Sequence, residues 1–338
     1  MHRSKFAGSL ASCYLASLLG KTTLSVSMTE AIHNAVGCPT ERAIVQVLLY
    51  FEIFSYPLTA GEVFQFLNVP DTSAAEIKSR LRQMADRGQI FQFGSFFQSL
   101  NEPSWVSNRL QSNQRADKML PVARRMAAFI GGFPFVRGVF VSGSLSKHCM
   151  QPDSDIDFFI IAQPGRLWLA RTLLVCFKKI FLFNSHKYFC INYFVDSAHL
   201  EIEDKNLFTA TETATLLPMY GQEWYESFSR ANGWVRHFLP HFPPRETHAI
   251  PPHRRGFFKW ALETLFGGRI SDWLDGQVMR LTIAYWKRKF RHLDEHAFDT
   301  ALKSRRYLSK HHPLHFQQRV LRQYTNRTAE VENREWFV

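Results

Sequence analysis

Residues 136–161 constrain this chain more than any other stretch. Val136-Arg-Gly-Val-Phe-Val-Ser142 has the β-branched and aromatic content of a strand. Gly143-Ser144 follows at once, and after a spacer of about ten residues Asp155-Ile-Asp157 opens a second apolar run, Phe158-Phe-Ile-Ile161. Asp155 and Asp157 are two apart at the start of a strand, so their side chains leave the same face. Carboxylates that close repel each other unless a cation joins them, and Mg²⁺ is commonly held by one or two carboxylates together with substrate phosphates. Gly143 permits close approach of backbone amides to a phosphate, Ser144 adds a hydroxyl donor, and a helix opening over residues 144–150 would turn its positive end toward the same anion. Lys147 is within reach of a triphosphate held there; His148, Arg166 and Arg171 are as readily ordinary exposed side chains.

These elements, Ser142-Gly143-Ser144 and Asp155-Ile156-Asp157, resemble the signature of the nucleotidyltransferase superfamily that includes DNA polymerase beta. That signature is an apolar residue, Gly-Ser, a spacer and Asp-apolar-Asp on the next strand. Ser142 departs from the apolar residue before the glycine, although Val141 is adjacent. The resemblance covers under a third of the chain. It implies Mg²⁺-dependent transfer (Mn²⁺ being the alternative ion) of a nucleoside monophosphate from an NTP to a hydroxyl or phosphate acceptor, with pyrophosphate leaving. Asp155 and Asp157 would be the metal-binding and catalytic residues, and Gly143, Ser144 and Lys147 would bind the nucleotide. A third carboxylate on a later strand would complete the site. Period two along Tyr188–Val195 sets Asn192, Phe194 and Asp196 on one face, so Asp196 is the expected third catalytic and metal ligand, with Glu201 and Glu203 as alternatives. Were Asn192 to hold that position instead, the chain would be a weakened member of the superfamily, acting as a nucleic-acid-binding or regulatory interaction module.

Upstream, three short helical patterns precede an aromatic hairpin. Glu41–Phe54 has Thr40 as its expected cap, Thr59 and Glu62 form a capping box, and Asp71-Thr72-Ser73 caps a helix that Gly88 ends. Gln89–Leu100 reads as two strands joined at Gly94-Ser95. Three helices and a hairpin resemble a winged helix-turn-helix, whose third helix, carrying Arg80 and Arg82, reads the groove in DNA-binding versions; others are protein-contact modules. Trp105–Phe129 reads as a long helix reset at Pro121.

Five scattered cysteines give neither a disulfide framework nor zinc spacing. No run of 18 uncharged apolar residues is present. The net charge of +12 permits a polyanionic partner. Fifteen Lys and Arg against six Asp and Glu fall between Arg254 and Arg322, a stretch that reads as helical throughout. Lys287, Arg288 and Lys289 are its expected polyanion contacts. RNA, tRNA among it, is then the expected macromolecular acceptor, although a solvated basic bundle has the same composition.

The expected fold is α+β and multidomain, a central small mixed-sheet nucleotidyltransferase domain flanked by winged-helix and helical domains. Residues 1–37 form a leader or poorly ordered extension, with Met28 as an alternative start. A winged-helix-like domain follows over 38–102, the nucleotidyltransferase domain over 103–208, and a C-terminal helical domain over 209–338 with a Pro-rich crossing at 240–252. A cytoplasmic location fits this reading.

Overall fold

The computed structural model describes residues 38–183, 187–254, 256–311 and 316–335. The leader expected over 1–37 lies outside these. The described chain is a mixed α/β structure with a central multi-stranded sheet and flanking helices.

The first region runs α1 (Pro39–Glu52), β1 (Leu58–Thr59), α2 (Ala60–Phe66), α3 (Ala74–Asp86), β2 (Phe91–Phe93) and β3 (Phe96–Gln98). Cys38 rather than Thr40 precedes the first helix, because Pro39 supplies the ready-made dihedral of a first helical residue. Thr59 and Glu62 form the expected capping box, and the Ser73 hydroxyl accepts from Glu76 N–H. The three strands form one antiparallel sheet in the order β1-β3-β2. Ile44, Leu48, Leu58, Ile77 and Leu81 fill the core beneath it.

Helix α4 (Ser104–Gly131) leads into the central region and is continuous. The expected reset at Pro121 does not occur: Pro121 is exposed, so the carbonyl it leaves unbonded one turn back lies on the solvent side. There follow β4 (Val136–Ser142), α5 (Gly143–Ser146), β5 (Asp157–Ala162), α6 (Leu167–Phe181), β6 (Cys190–Asp196), α7 (Leu207–Thr215), β7 (Leu217–Tyr220) and α8 (Gln222–Ala231). After a 3₁₀ turn at Gly233–His237 come α9 (Phe257–Leu265), α10 (Arg269–Lys289), α11 (Glu295–Ala301), β8 (Ser304–Arg305), β9 (Leu308–Lys310) and α12 (Phe316–Glu335).

The large sheet has the order β7-β4-β5-β6-β9-β8, with β5 and β6 parallel and every other neighbouring pair antiparallel. Val139, Val141, Phe158, Ile160, Phe194 and Trp168 pack on one face, and Phe140, Phe159, Ile161 and Phe228 on the other. Burial on both faces explains why β5 reads as one unbroken apolar run. Gly221 turns the chain from β7 into α8 at φ +80°, where a Cβ would meet Arg137 O at 2.4 Å.

The helical reading of Arg254–Arg322 fails at Ser304–Lys310, where β8 and β9 extend the sheet beyond β6. With β7, they make the last third of the chain a contributor to the central sheet rather than a separate helical unit. Helix α12 returns to the first region, where Val320 is buried in its core and Arg327 pairs with Glu52.

Candidate functional site

The register of β4 on β5 pairs Ser142 with Asp157, so the turn that leaves β4 meets the first residue of β5. Gly143 takes φ +68° there, and a Cβ on it would lie 2.6 Å from Asp157 Oδ2. The left-handed backbone favours glycine at this position, and a Cβ there would also displace the end of the Asp157 side chain. The expected helix over 144–150 is only the single turn α5. His148 stops it in the left-handed region at φ +56°, and its ring nitrogen Nε2 lies 2.7 Å from Asp117 Oδ1. A single turn of four residues supplies no helix dipole for anion binding.

The turn is braced on two sides. Tyr56 of the first region donates its hydroxyl to Lys147 O at 3.0 Å. Lys147 Nζ folds back to Gly143 O at 3.1 Å and pairs with Glu212 of α7 at 2.7 Å. Lys147 thus stands beside the turn with its charge shared. Ser146 Oγ also donates to Gly143 O, at 2.8 Å. Ser144 is the exception: its Oγ is buried without a hydrogen-bond partner. Burying an unbonded hydroxyl costs about 1–3 kcal/mol, which makes this atom the natural donor to a ligand at the turn.

Ile156 N–H donates to Lys187 O, and Ile156 O accepts from Cys190 N–H. Strand-like hydrogen bonding thus begins at Ile156, between Asp155 and the Asp157 that opens β5. Burial pushes the Asp155 carboxyl above the ordinary carboxylate range, with the Lys178 ammonium drawing it back. Lys178 is itself buried, which lowers its own pKa, and the nearby Asp155 carboxylate opposes that shift. Beside them the Cys190 thiol is held well above its usual pKa by burial and then by Asp157 and Asp155, so it is a neutral neighbour.

The residue against Asp157 from β6 is Asn192, whose Nδ2 donates to Asp157 Oδ1 at 3.0 Å and lies 3.0 Å from Cys190 Sγ. Along this strand pair Phe158 partners Ile191 and Phe159 partners Tyr193, leaving Asn192 as an inserted residue. Such a bulge re-aims one side chain and breaks the period-two parity on which the expectation for Asp196 depended. Asp196 partners Ala162, five residues along β5 and about 16 Å from the Asp157 end. It is no third ligand. Its Oδ1 accepts from Ala198 and His199 N–H, both at 3.0 Å, closing the turn after β6. Glu201 pairs with Lys205, and Glu203 with Lys303 and Tyr307, so neither joins the acid pair. Arg166 donates to the carbonyls of Phe266, Gly267 and Gly268 and pairs with Asp272, whereas Arg171 is buried over Trp286. Both anchor α10. Lys287, Arg288 and Lys289 are exposed in its last turn.

The oxygens of Asp155 and Asp157 are the hard ligands that Mg²⁺ takes, and the orphaned Ser144 hydroxyl suits a phosphate oxygen. A thiol and an amide nitrogen do not suit Mg²⁺. The residues therefore fit one cation shared with phosphate; a second would lack its carboxylate. Among the described residues no three His, Cys, Asp or Glu side chains converge to hold a metal. Lys178 and Glu212 went unread as site residues. Lys178 had a legible signal, since Leu167, Arg171, Leu174 and Lys178 recur at helical spacing along the buried stripe of α6. Glu212 had none, because α7 reaches the turn only through the tertiary fold. Comparison of the chain with protein-family models, with curated proteins and with solved structures finds no match.

Proposed function

We propose that this chain is a nucleotidyltransferase-fold protein, similar to the superfamily that includes DNA polymerase beta, and that it binds an NTP at the Gly143–Ser144 turn for transfer of its nucleoside monophosphate to an acceptor. The observation that carries this reading is the left-handed Gly143 pressed against Asp157, with the Ser144 hydroxyl buried and unbonded beside it. Asp155 and Asp157 would hold Mg²⁺ or Mn²⁺, which when bound neutralises charge on the phosphates. Ser144 would donate to a phosphate oxygen, and Lys178 adds positive potential behind the acid pair. The first region has the layout of a winged helix and would serve as a protein-contact module bracing the turn through Tyr56. RNA, tRNA included, is the macromolecular acceptor this reading allows.

Asn192 favours a second reading. An amide beside Asp157 cannot take a proton from an attacking hydroxyl as a carboxylate can, so the chain would bind NTP and act in regulation with little or no turnover.

The test incubates the full chain with each labelled NTP, Mg²⁺ or Mn²⁺ and acceptors including tRNA. Products are followed by mass, and nucleotide binding by calorimetry. Asp155→Asn and Asp157→Asn should each abolish metal-dependent nucleotide binding. Asn192→Asp should raise transfer tenfold or more if the second reading holds, and should not raise it if the wild type already turns over. A wild type that neither binds nor transfers any NTP rejects both readings.

A further inference from the structure

Helices α9 and α10 both bury charged side chains while leaving large apolar ones exposed. On α9, Lys259 is 3% exposed and donates to Gly131 O at 2.7 Å and Val136 O at 2.5 Å. Glu263 is likewise buried, accepting from Phe135 N–H and Arg137, both at 2.7 Å. The apolar residues of the same helix face away: Phe258 is 82% exposed, with Phe257 and Leu265 little less so. Helix α10 repeats the arrangement only in part, since Val278, Met279, Ile283 and Trp286 pack on the central core. Asp275 is fully buried and accepts from Leu169 N–H at 2.9 Å, whereas Ile270 is 76% exposed and Trp273 and Leu281 are also exposed. The two helices are joined by the turn Phe266–Gly268, which is itself exposed and which Arg166 clamps through three carbonyls.

Water does not favour this arrangement. A Phe, Leu or Ile side chain left out of a core forgoes about 1.5–3 kcal/mol, while burying charges demands the dedicated partners seen here. So many large apolar side chains exposed on two consecutive helices mark a surface that something else covers.

We infer that the outer face of α9 and α10 docks on an anionic lipid bilayer, lying in the interface rather than crossing it. Charge argues for this occupant. Between residues 256 and 291 the exposed ionic groups are Arg269, Arg280, Lys287, Arg288, Lys289 and Arg291 against one acid, Asp272, which is paired with Arg166. A cationic rim around Phe, Trp, Leu and Ile is the pattern of interfacial helices, which combine apolar insertion with attraction to acidic headgroups. A second copy of the same face would bring like charges together. RNA would satisfy the cations but leave Leu265, Ile270 and Leu281 without a partner. No helix among the described residues is long and apolar enough to cross a membrane, which fits docking on the surface. This surface does not depend on the chemistry proposed for Asp155 and Asp157.

The test is co-sedimentation of the full chain with vesicles of phosphatidylcholine alone and with about one third phosphatidylglycerol, over a salt series. The wild type should sediment with the anionic vesicles, lose binding steeply as salt rises, and shift its tryptophan emission to the blue. Phe258→Ser combined with Trp273→Ser should weaken partitioning by tenfold or more. Arg269→Gln with Arg280→Gln should weaken it about twentyfold on anionic vesicles and leave phosphatidylcholine unaffected. Both variants alter exposed positions, and unchanged far-UV circular dichroism verifies their fold. Absence of sedimentation at low salt overturns the inference. So does a Phe258/Trp273 variant that binds lipid as the wild type does, turns a dimer into a monomer without any lipid affinity in the wild type, or loses affinity for RNA alone.

Discussion

Asp157 and Asp196 stand at opposite ends of the same parallel strand pair and have opposite surroundings. Asp196 accepts two backbone N–H groups and holds the turn that follows it. Asp157 instead begins its strand beside a left-handed glycine, an amide from a bulge and a buried hydroxyl with nothing to bond. One aspartate closes a piece of structure; the other sits where structure is left incomplete. A carboxylate at a strand end is thus no sign of a site by itself, and the unspent donor beside it is the better marker.

Substitution at the two ends separates these roles. Asp157→Asn is expected to cut metal-dependent nucleotide transfer or binding by about a thousandfold while the thermal midpoint stays near that of the wild type; equal nucleotide affinity in the two proteins would erase the contrast. Asp275 calibrates it as a third buried aspartate, bonded through Oδ1 and orphaned at Oδ2. Burial raises its carboxyl to about 6. Because the folded-state value lies above the unfolded one, its stabilising contribution is present below pH about 4 and is lost as pH rises through about 6. Asp275→Asn should therefore match the wild type near pH 4 and exceed it by up to about 3 kcal/mol above pH 7. Denaturant unfolding across that range measures the difference, and a constant gap between the proteins would contradict the assignment.

Asp196→Ala should cost about 1–3 kcal/mol of stability, since two N–H groups of the turn lose their charged acceptor, and should leave transfer within twofold. Loss of transfer without loss of stability would reverse the roles of the two ends. Ser144→Ala is the mildest change. Stability should stay level or rise slightly, because the hydroxyl bonds nothing in the protein, while nucleotide affinity should fall about tenfold. A clear drop in midpoint would mean that the hydroxyl already serves the fold.

Much of this was readable from local chemistry. The strand, Gly-Ser turn and second strand of residues 136–161 are written in neighbouring residues, as are the Thr59–Glu62 capping box and the Ser73 cap. The position facing Asp157 was not, because a single inserted residue at Asn192 flips the parity of everything beyond it, and nothing in Tyr188–Val195 announces the insertion. Strands β8 and β9 were missed for another reason. Two and three residues long, they exist because β6 offers an open edge to a segment more than a hundred positions later. The helices α9 and α10 were legible as helical, but the buried charges Lys259, Glu263 and Asp275 were not, because their partners Gly131, Phe135, Arg137 and Leu169 come from distant segments.

The return of α12 to the first region bears on how the protein is made. Tyr50 stacks edge-on against Tyr324 at 5.7 Å, Glu52 pairs with Arg327, and Val320 is buried among residues of α1. On a ribosome adding about 5–20 residues per second, the segment through β3 would wait roughly 10 to 45 seconds for Val320 to be synthesised. During that interval Tyr50 and its apolar neighbours are uncovered and Glu52 lacks its arginine. The nascent chain would therefore present a sticky, unfinished first region to chaperones and proteases until α12 is made, however early α1 to α3 take shape.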